Sequence, residues 1–276
     1  MIAMDGLTTR QQWILRHIQD RGFATIEAMA EEINVSAQTV RRELIELEGR
    51  NYLIRFHGGA GLRQDLFRIG YAQKISTSLE GKQRIATVVA DMIPPGASVY
   101  LDVGSTVECV ARALGKHSSL HVVTPSAAVA MIFSTHPQID TFVTGGSLRG
   151  ANGALVGIHA IRTLASFHFD FAVSSFGGFD PEGQPTDFDP EKIALRQAAF
   201  DNASRRIGMA DATKFDKTAL RRMLGGHQLT DLIVDAEPPA HIAAALAQAG
   251  GRLVVAAAEQ PLAASASMSK RQISEN

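Results

Sequence analysis

From residue 98 to residue 256, short runs rich in β-branched residues alternate with amphipathic helical runs, and this alternation restricts the fold more than any other feature. Strand-like segments fall at 98–103, 120–123, 141–144, 169–174, 206–209, 231–234 and 252–256. Helical segments lie between them at 107–114, 127–133, 158–165, 191–204 and 239–249. A helical stripe of Ile85, Val88, Val89 and Met92 precedes the series and is stopped by Pro94-Pro95-Gly96. Strands that are apolar almost throughout, separated by helices, require a mostly parallel sheet covered on both faces. The predicted class is α/β, without internal repeats.

Residues 1–62 follow another pattern. Ile14, Leu15 and Ile18 form one stripe of a helix over 11–20 that Gly22 stops. Thr25 suits the N-cap of a second helix over 26–33, with Ile26, Met29, Ala30 and Ile33 inward. Only Asn34-Val35 separates it from a third helix that Ser36 caps, with Val40, Leu44 and Leu47 inward. Ser36, Gln38, Thr39, Arg41 and Arg42 fall on the other face or at the helix start, and these donor types reach base edges and phosphates. Residues 52–61 read as a β-wing that would lay Arg55 and His57 against a phosphate backbone. The predicted unit is a winged helix-turn-helix whose third helix enters a major groove. A small bundle with solvated arginines, or a protein-docking module, would share the periodicity. Charge does not decide between them: Arg10, Arg16, Arg21, Arg41, Arg42, Arg50, Arg55 and Arg63 are balanced by Asp5, Asp20, Glu27, Glu31, Glu32, Glu43, Glu46 and Glu48. Placement favours duplex DNA, because Arg41, Arg42, Arg55 and His57 would gather on one side.

The chain is long enough for a small domain and a larger one with a substantial core. The expected division is 1–62 for the DNA-binding domain, 63–80 for a linker, 81–260 for an α/β domain and 261–276 for a disordered polar tail. A net charge of −1 confines any DNA contact to a local patch. A single cysteine, Cys109, excludes an internal disulfide framework and fits a reducing cytoplasm. The first residues lack the pattern of a signal peptide, Met1 and Met4 are both possible starts, and no apolar run approaches the roughly 20 residues that span a bilayer. A cytoplasmic protein without a membrane partner is expected. His117, His121 and His136 are scattered, so neither a metal nor a cofactor is expected.

In a parallel sheet, ligands bind beyond the carboxyl ends of the strands. After the first strand comes Asp102-Val103-Gly104-Ser105-Thr106, a glycine and two hydroxyls at a helix N-terminus, which suits a phosphate or another anion. The second strand leads to Thr124-Pro125-Ser126 and the third to Thr144-Gly145-Gly146-Ser147-Leu148-Arg149. Later strands add Gly177-Gly178 and Asp211-Ala212-Thr213-Lys214. Each piece alone is also an ordinary turn or cap. Together they would gather Asp102, Gly104, Ser105, Thr106, Thr124, Ser126, Gly145, Gly146, Asp211 and Lys214 at one sheet edge, as a site for a phosphorylated sugar or polyol.

Residues 35–44, Leu47-Glu48 and Arg55-Phe56-His57-Gly58-Gly59-Ala60 resemble the N-terminal signature of the DeoR family of bacterial transcriptional regulators. Leu101-Asp102-Val103-Gly104-Ser105-Thr106, Val123-Thr124-Pro125-Ser126, Gly145-Gly146, Asp170 and Asp211-Ala212-Thr213-Lys214-Phe215 resemble its sensor domain, and the likeness runs from about residue 10 to about 256. The resemblance implies a winged helix-turn-helix joined to a sensor of the ribose-5-phosphate isomerase and CoA-transferase type. It also implies a repressor of sugar or polyol genes, acting as a homodimer or homotetramer on an inverted-repeat operator and released by a phosphorylated intermediate. Residues 93–97, Leu148-Arg149, Phe188-Asp189 and 235–239 resemble the subgroup that regulates glycerol-3-phosphate genes, which implies that effector.

Three departures bear on the effector and the DNA. Pro125 stands where the family has Asn, Lys192 where it has Glu (with Glu191 one position earlier), and Glu43 where it has Asp, which would bring a carboxylate near the DNA. The alternative reading is a phosphosugar isomerase-like enzyme with an appended helix-turn-helix. The isomerases' Asp-Gly-Ala-Asp-Glu string is absent, leaving Asp102 and Asp211 as possible bases.

Overall fold

The computed structural model describes residues 6–21, 23–56, 58–62, 75–150, 152–223 and 229–256. The N-terminal unit comprises α1 (Thr9–Arg21), β1 (Phe23–Thr25), α2 (Ile26–Glu32), α3 (Ala37–Gly49), β2 (Leu53–Phe56) and β3 (Gly59–Leu62). The hydroxyl of Thr25 accepts from the Ala28 amide, and that of Ser36 from the Thr39 amide, each at 3.1 Å. Both caps satisfy amides that a helix start leaves unpaired. Between the helices Asn34 takes φ 52°, a left-handed conformation that Asn tolerates better than most residues. Ile14, Leu15, Ile18, Met29, Val40, Leu44 and Leu47 then meet in one buried cluster. Strand β3 pairs antiparallel with both β2 and β1. The sequence pattern does not predict β1, because three residues show no period and only pairing with β3 defines the strand.

The larger unit begins with α4 (Leu79–Met92), which starts inside the segment assigned to the linker. It continues through β4 (Ser98–Leu101), α5 (Ser105–Leu114), β5 (Leu120–Thr124), α6 (Ala127–Phe133) and β6 (Ile139–Val143). A hairpin of β7 (Ser147–Arg149) and β8 (Ala154–Val156) leads to α7 (Ile158–Ala165) and β9 (Phe169–Ser175). Next come β10 (Gly178–Phe179), β11 (Pro185–Asp187), α8 (Pro190–Asp201), β12 (Ala203–Ala210) and a 3-10 turn (Ala212–Lys214). The last elements are β13 (Arg221–Arg222), β14 (Asp231–Val234), α9 (Ala240–Gln248) and β15 (Arg252–Val255). Residues 63–74 and 261–276, assigned above to the linker and tail, lie outside the described residues.

The main sheet has seven strands in the order β15-β14-β12-β9-β4-β5-β6, every pair parallel. Alternate strand residues divide between two layers. Val99, Leu101, Val173 and Ile207 pack with Ile85, Val89, Val110 and Val129 from α4, α5 and α6. Tyr100, Ala172 and Val234 pack with Leu164, Leu195 and Ile242 from α7, α8 and α9. The predicted helix over 191–204 is shorter than expected, because Ala203 already pairs with Phe169 as strand. The β7–β8 hairpin and the β10-β11-β13 sheet are also unpredicted, again because two or three residues carry no period. Among the described residues no helix is long and apolar enough to cross a membrane.

Strand order fixes where a ligand can sit. From β4 the chain steps outward to β5 and β6, then returns to β9 on the other side of β4 and proceeds through β12 and β14. The order therefore reverses between β4 and β9. At such a point the adjoining loops diverge and leave a crevice at the carboxyl ends of the strands.

Candidate functional site

Helix α3 presents its polar face to solvent: Ser36, Gln38, Arg41 and Arg42 are exposed, while Val40, Leu44 and Leu47 are buried. The Ser36 and Thr39 hydroxyls lie 2.9 Å apart and serve the helix start, so Gln38, Arg41 and Arg42 are the freer donors. Arg41 has a loose partner in Glu27 at 3.8 Å, both exposed. Each acid on α3 is held by an arginine. Glu43 accepts from Arg10 at 3.0 Å and from Gln11 at 2.9 Å. Glu46 pairs with Arg50, and Glu48 with Arg55. A segment without net excess charge thereby presents two exposed cations on one face, Arg41 only loosely paired.

Two expectations change here. Glu43 does not bring a carboxylate toward DNA; it joins α3 to α1. Arg55 is tied to Glu48 through its backbone amide at 3.0 Å and its Nε at 2.6 Å, which pins the wing to α3. Those two bonds hold the Glu48 carboxyl below the usual range. His57 lies outside the described residues.

At the switch point, β4 leads through Asp102-Val103 to Gly104, whose φ of 153° begins α5 without a side-chain cap. A Cβ on Gly104 would stand 3.0 Å from Ser175 Oγ at the end of β9. The backbone conformation favours glycine, and a Cβ would also need the Ser175 hydroxyl to move aside. Ser105 is half-buried and Thr106 buried, both in the first turn of α5. Lys214 is half-buried after β12, and its ammonium makes no hydrogen bond or ion pair among the described residues.

Other predicted residues serve as framework. Asp102 is 0% exposed; it accepts from Tyr100 at 3.0 Å, from Arg196 Nε at 2.8 Å and from the Ser174 hydroxyl. Arg196, itself buried, also donates to Asp187 at 3.0 Å. Burial disfavours the Arg196 charge, but Asp102 and Asp187 overcome this and the net shift is upward. Burial, reinforced by Asp102, raises the Tyr100 phenol well above its usual value. Thr124 donates to the Leu101 carbonyl at 2.7 Å, and Ser126 caps α6 by accepting from Val129 at 3.2 Å; both are buried. Asp211, also buried, caps the 3-10 turn through Thr213. Asp102 and Asp211 are therefore both buried and hydrogen-bonded within the framework. Gly145 and Gly146 are exposed and open the β7–β8 hairpin; a Cβ on Gly146 would meet the Val156 carbonyl at 2.6 Å. Lys192 lies 3.8 Å from Asp189, the cap of α8.

Sequence reasoning missed Lys82. It sits on the buried stripe of α4 with Ile85, Ala86 and Val89 and donates to the Thr77 carbonyl at 2.8 Å. Its ammonium is within electrostatic reach of Asp211, Lys214 and Cys109. Burial lowers its pKa, Lys214 adds to that, and Asp211 opposes it. A lysine on an apolar helical stripe was the available signal. Gly81 allows this packing: a Cβ there would strike the Asp235 carboxylate beyond β14. Among the described residues no cluster of three His, Cys, Asp or Glu is placed to hold a metal.

The profile of the DeoR-like helix-turn-helix domain matches residues 10–65, and that of the DeoR C terminal sensor domain matches residues 77–236. Over 231 residues the chain is 34% identical to the HTH-type transcriptional repressor CsqR of Escherichia coli (strain K12), covering 84% of this chain and 88% of that protein. Over 236 residues it is 32% identical to the Glycerol-3-phosphate regulon repressor of the same organism, covering 85% and 93%. A ribose 5-phosphate isomerase A from Methanocaldococcus jannaschii aligns with 48% of this chain and 52% of its own, at 14% identity and a TM-score of 0.36, a likeness too slight to bear on function. Two family domains in order, and relatives along most of the length that are named repressors, lead to one conclusion: the chain belongs to the DeoR family and is a DNA-binding transcriptional regulator, not an enzyme.

Proposed function

We propose that this regulator represses a sugar or polyol catabolic operon and is released by a phosphorylated metabolite held in the crevice between β4 and β9. The observation that carries the reading is the uncapped start of α5 at Gly104, with Lys214 and Lys82 at the same edge of the sheet. Backbone amides at a helix start and two ammonium groups suit a dianionic phosphate. In this reading Gly104, Ser105, Thr106 and Lys214 touch the phosphate. Asp102, Thr124, Ser126 and Asp211 hold the loops that present them, and Gly145-Gly146 shape the rim. Pro125 offers no amide donor, and its carbonyl accepts from Leu155 at 2.7 Å, fastening this loop to β8.

On the DNA side, Gln38, Arg41 and Arg42 contact the operator, Ser36 and Thr39 make shorter bonds, and the wing with Arg55 and His57 follows the backbone. A cytoplasmic homodimer or homotetramer would place paired α3 helices in grooves about one helical turn apart, which calls for an inverted repeat. The effector releases DNA only if it prefers an arrangement of the chain that binds DNA less well. Glycerol-3-phosphate is the first candidate, since one relative is named for its regulon.

The test begins with selection of a duplex from a random library on the full-length protein, followed by fluorescence anisotropy with glycerol-3-phosphate, hexose phosphates and their unphosphorylated parents. Release by a phosphorylated compound alone is expected. Lys214→Ala should keep operator affinity and lose that response. A response unchanged by Lys214→Ala, or equal release by the unphosphorylated parent, removes the phosphate site.

A further inference from the structure

Helix α3 turns about 100° per residue, so Gln38, Arg41, Arg42 and Ile45 share one stripe at spacing i, i+3, i+4, i+7. This stripe lies opposite Val40, Leu44 and Leu47. Ile45 is 52% exposed, the most exposed large hydrophobic side chain of the N-terminal unit among the described residues. The core makes no use of it. A β-branched apolar side chain also does less for a solvated helix than the alanine or lysine that would otherwise serve.

We propose that Ile45 reads a thymine methyl group in the major groove, as the last base-contacting position of the stripe. The groove floor offers acceptors to cations and amides, and the only apolar group it presents is the thymine C5-methyl. Homeodomains read the major groove from one helix at this same spacing. A second copy of the chain is the competing occupant of an exposed isoleucine. A twofold contact centred on this stripe would bring Arg41 and Arg42 against their own copies, whereas phosphates neutralise them. The inference rests on the DNA-binding reading and adds a specificity determinant to it.

The probe is a duplex enriched from a random library on the full-length protein, with each thymine replaced in turn by deoxyuridine, which lacks the methyl. Wild-type protein should lose about fourfold in affinity at one thymine of each half-site, the factor for one methyl-sized apolar contact. Ile45→Ala should bind the unmodified duplex about as weakly and lose nothing further at that thymine. An unfolding midpoint at or slightly above that of the wild type and an unchanged mass by light scattering complete the expected result. Equal losses for both proteins at every thymine would overturn the assignment while leaving DNA binding intact. A change of oligomeric mass in Ile45→Ala would give the residue to a subunit contact instead. Failure to enrich any sequence would remove the DNA reading together with this one.

Discussion

Truncating Arg41 and truncating Asp102 should harm this protein in different ways. Arg41 is exposed and its partner Glu27 is distant, so Arg41→Ala should leave the unfolding midpoint nearly unchanged. Operator affinity should fall at least about tenfold in a gel shift, as loss of a charged base or phosphate contact requires. Affinity at the wild-type level would mean that α3 does not read DNA through this side chain. Asp102→Ala would leave the buried Arg196 with Asp187 as its remaining carboxylate partner among the described residues, and breaking a buried pair costs about 3–5 kcal/mol. Urea unfolding should register that loss. Full stability combined with a lost effector response would instead make Asp102 a ligand contact. The sequence places Asp102 at the rim, but its ion-pair partner is 94 residues away. No local pattern shows that pairing. Lys82 is the reverse case, a cation whose place on an apolar stripe was visible all along.

At the level of elements, the parallel strands are joined by side chains as well as by ladder hydrogen bonds. Asp231 starts β14, and its carboxylate receives Arg205 from β12 and Arg252 from β15 at 2.9 Å each. Burial pushes this carboxyl up, but hydrogen bonds from Arg205, Thr230 and Arg252 outweigh it and the net shift is downward. A carboxyl depressed by folding contributes stability above its unfolded value, near 3.9, and loses it as pH falls through the lower folded value. Asp231→Asn should therefore flatten the acid side of the stability curve, measured by urea unfolding at several pH values. If variant and wild type lose stability in parallel below pH ~4, the aspartate does not act as this clasp. Elements whose apolar pattern is clear, such as α6, α7 and β14, have the ends that the sequence predicts. Strands β1, β7, β8, β10, β11 and β13 do not, because two or three residues carry no period and pairing alone defines them.

For the whole molecule, the overall charge of −1 conceals a functional asymmetry. Salt bridges neutralise the acids of α3 and leave Arg41 and Arg42 on its outer face, so operator affinity should fall steeply with salt. The slope of log affinity against log salt should lose about one unit in Arg42→Ala if that side chain neutralises a phosphate. A slope near zero for the wild type would return the winged helix to the class of protein-docking modules. The sequence by itself determined that the N-terminal segment builds capped helices around one core and that the longer segment builds a parallel sheet. Both follow from apolar spacing and capping residues, which act over a few positions along the chain. Only the tertiary structure decided which polar groups remain available. Burial and ion pairing tie Asp102, Asp211 and Glu43 into the framework, and the reversal of strand order between β4 and β9 opens a crevice at the loop proposed to hold the anion. Those outcomes depend on partners brought together across the fold, at separations that no periodicity encodes.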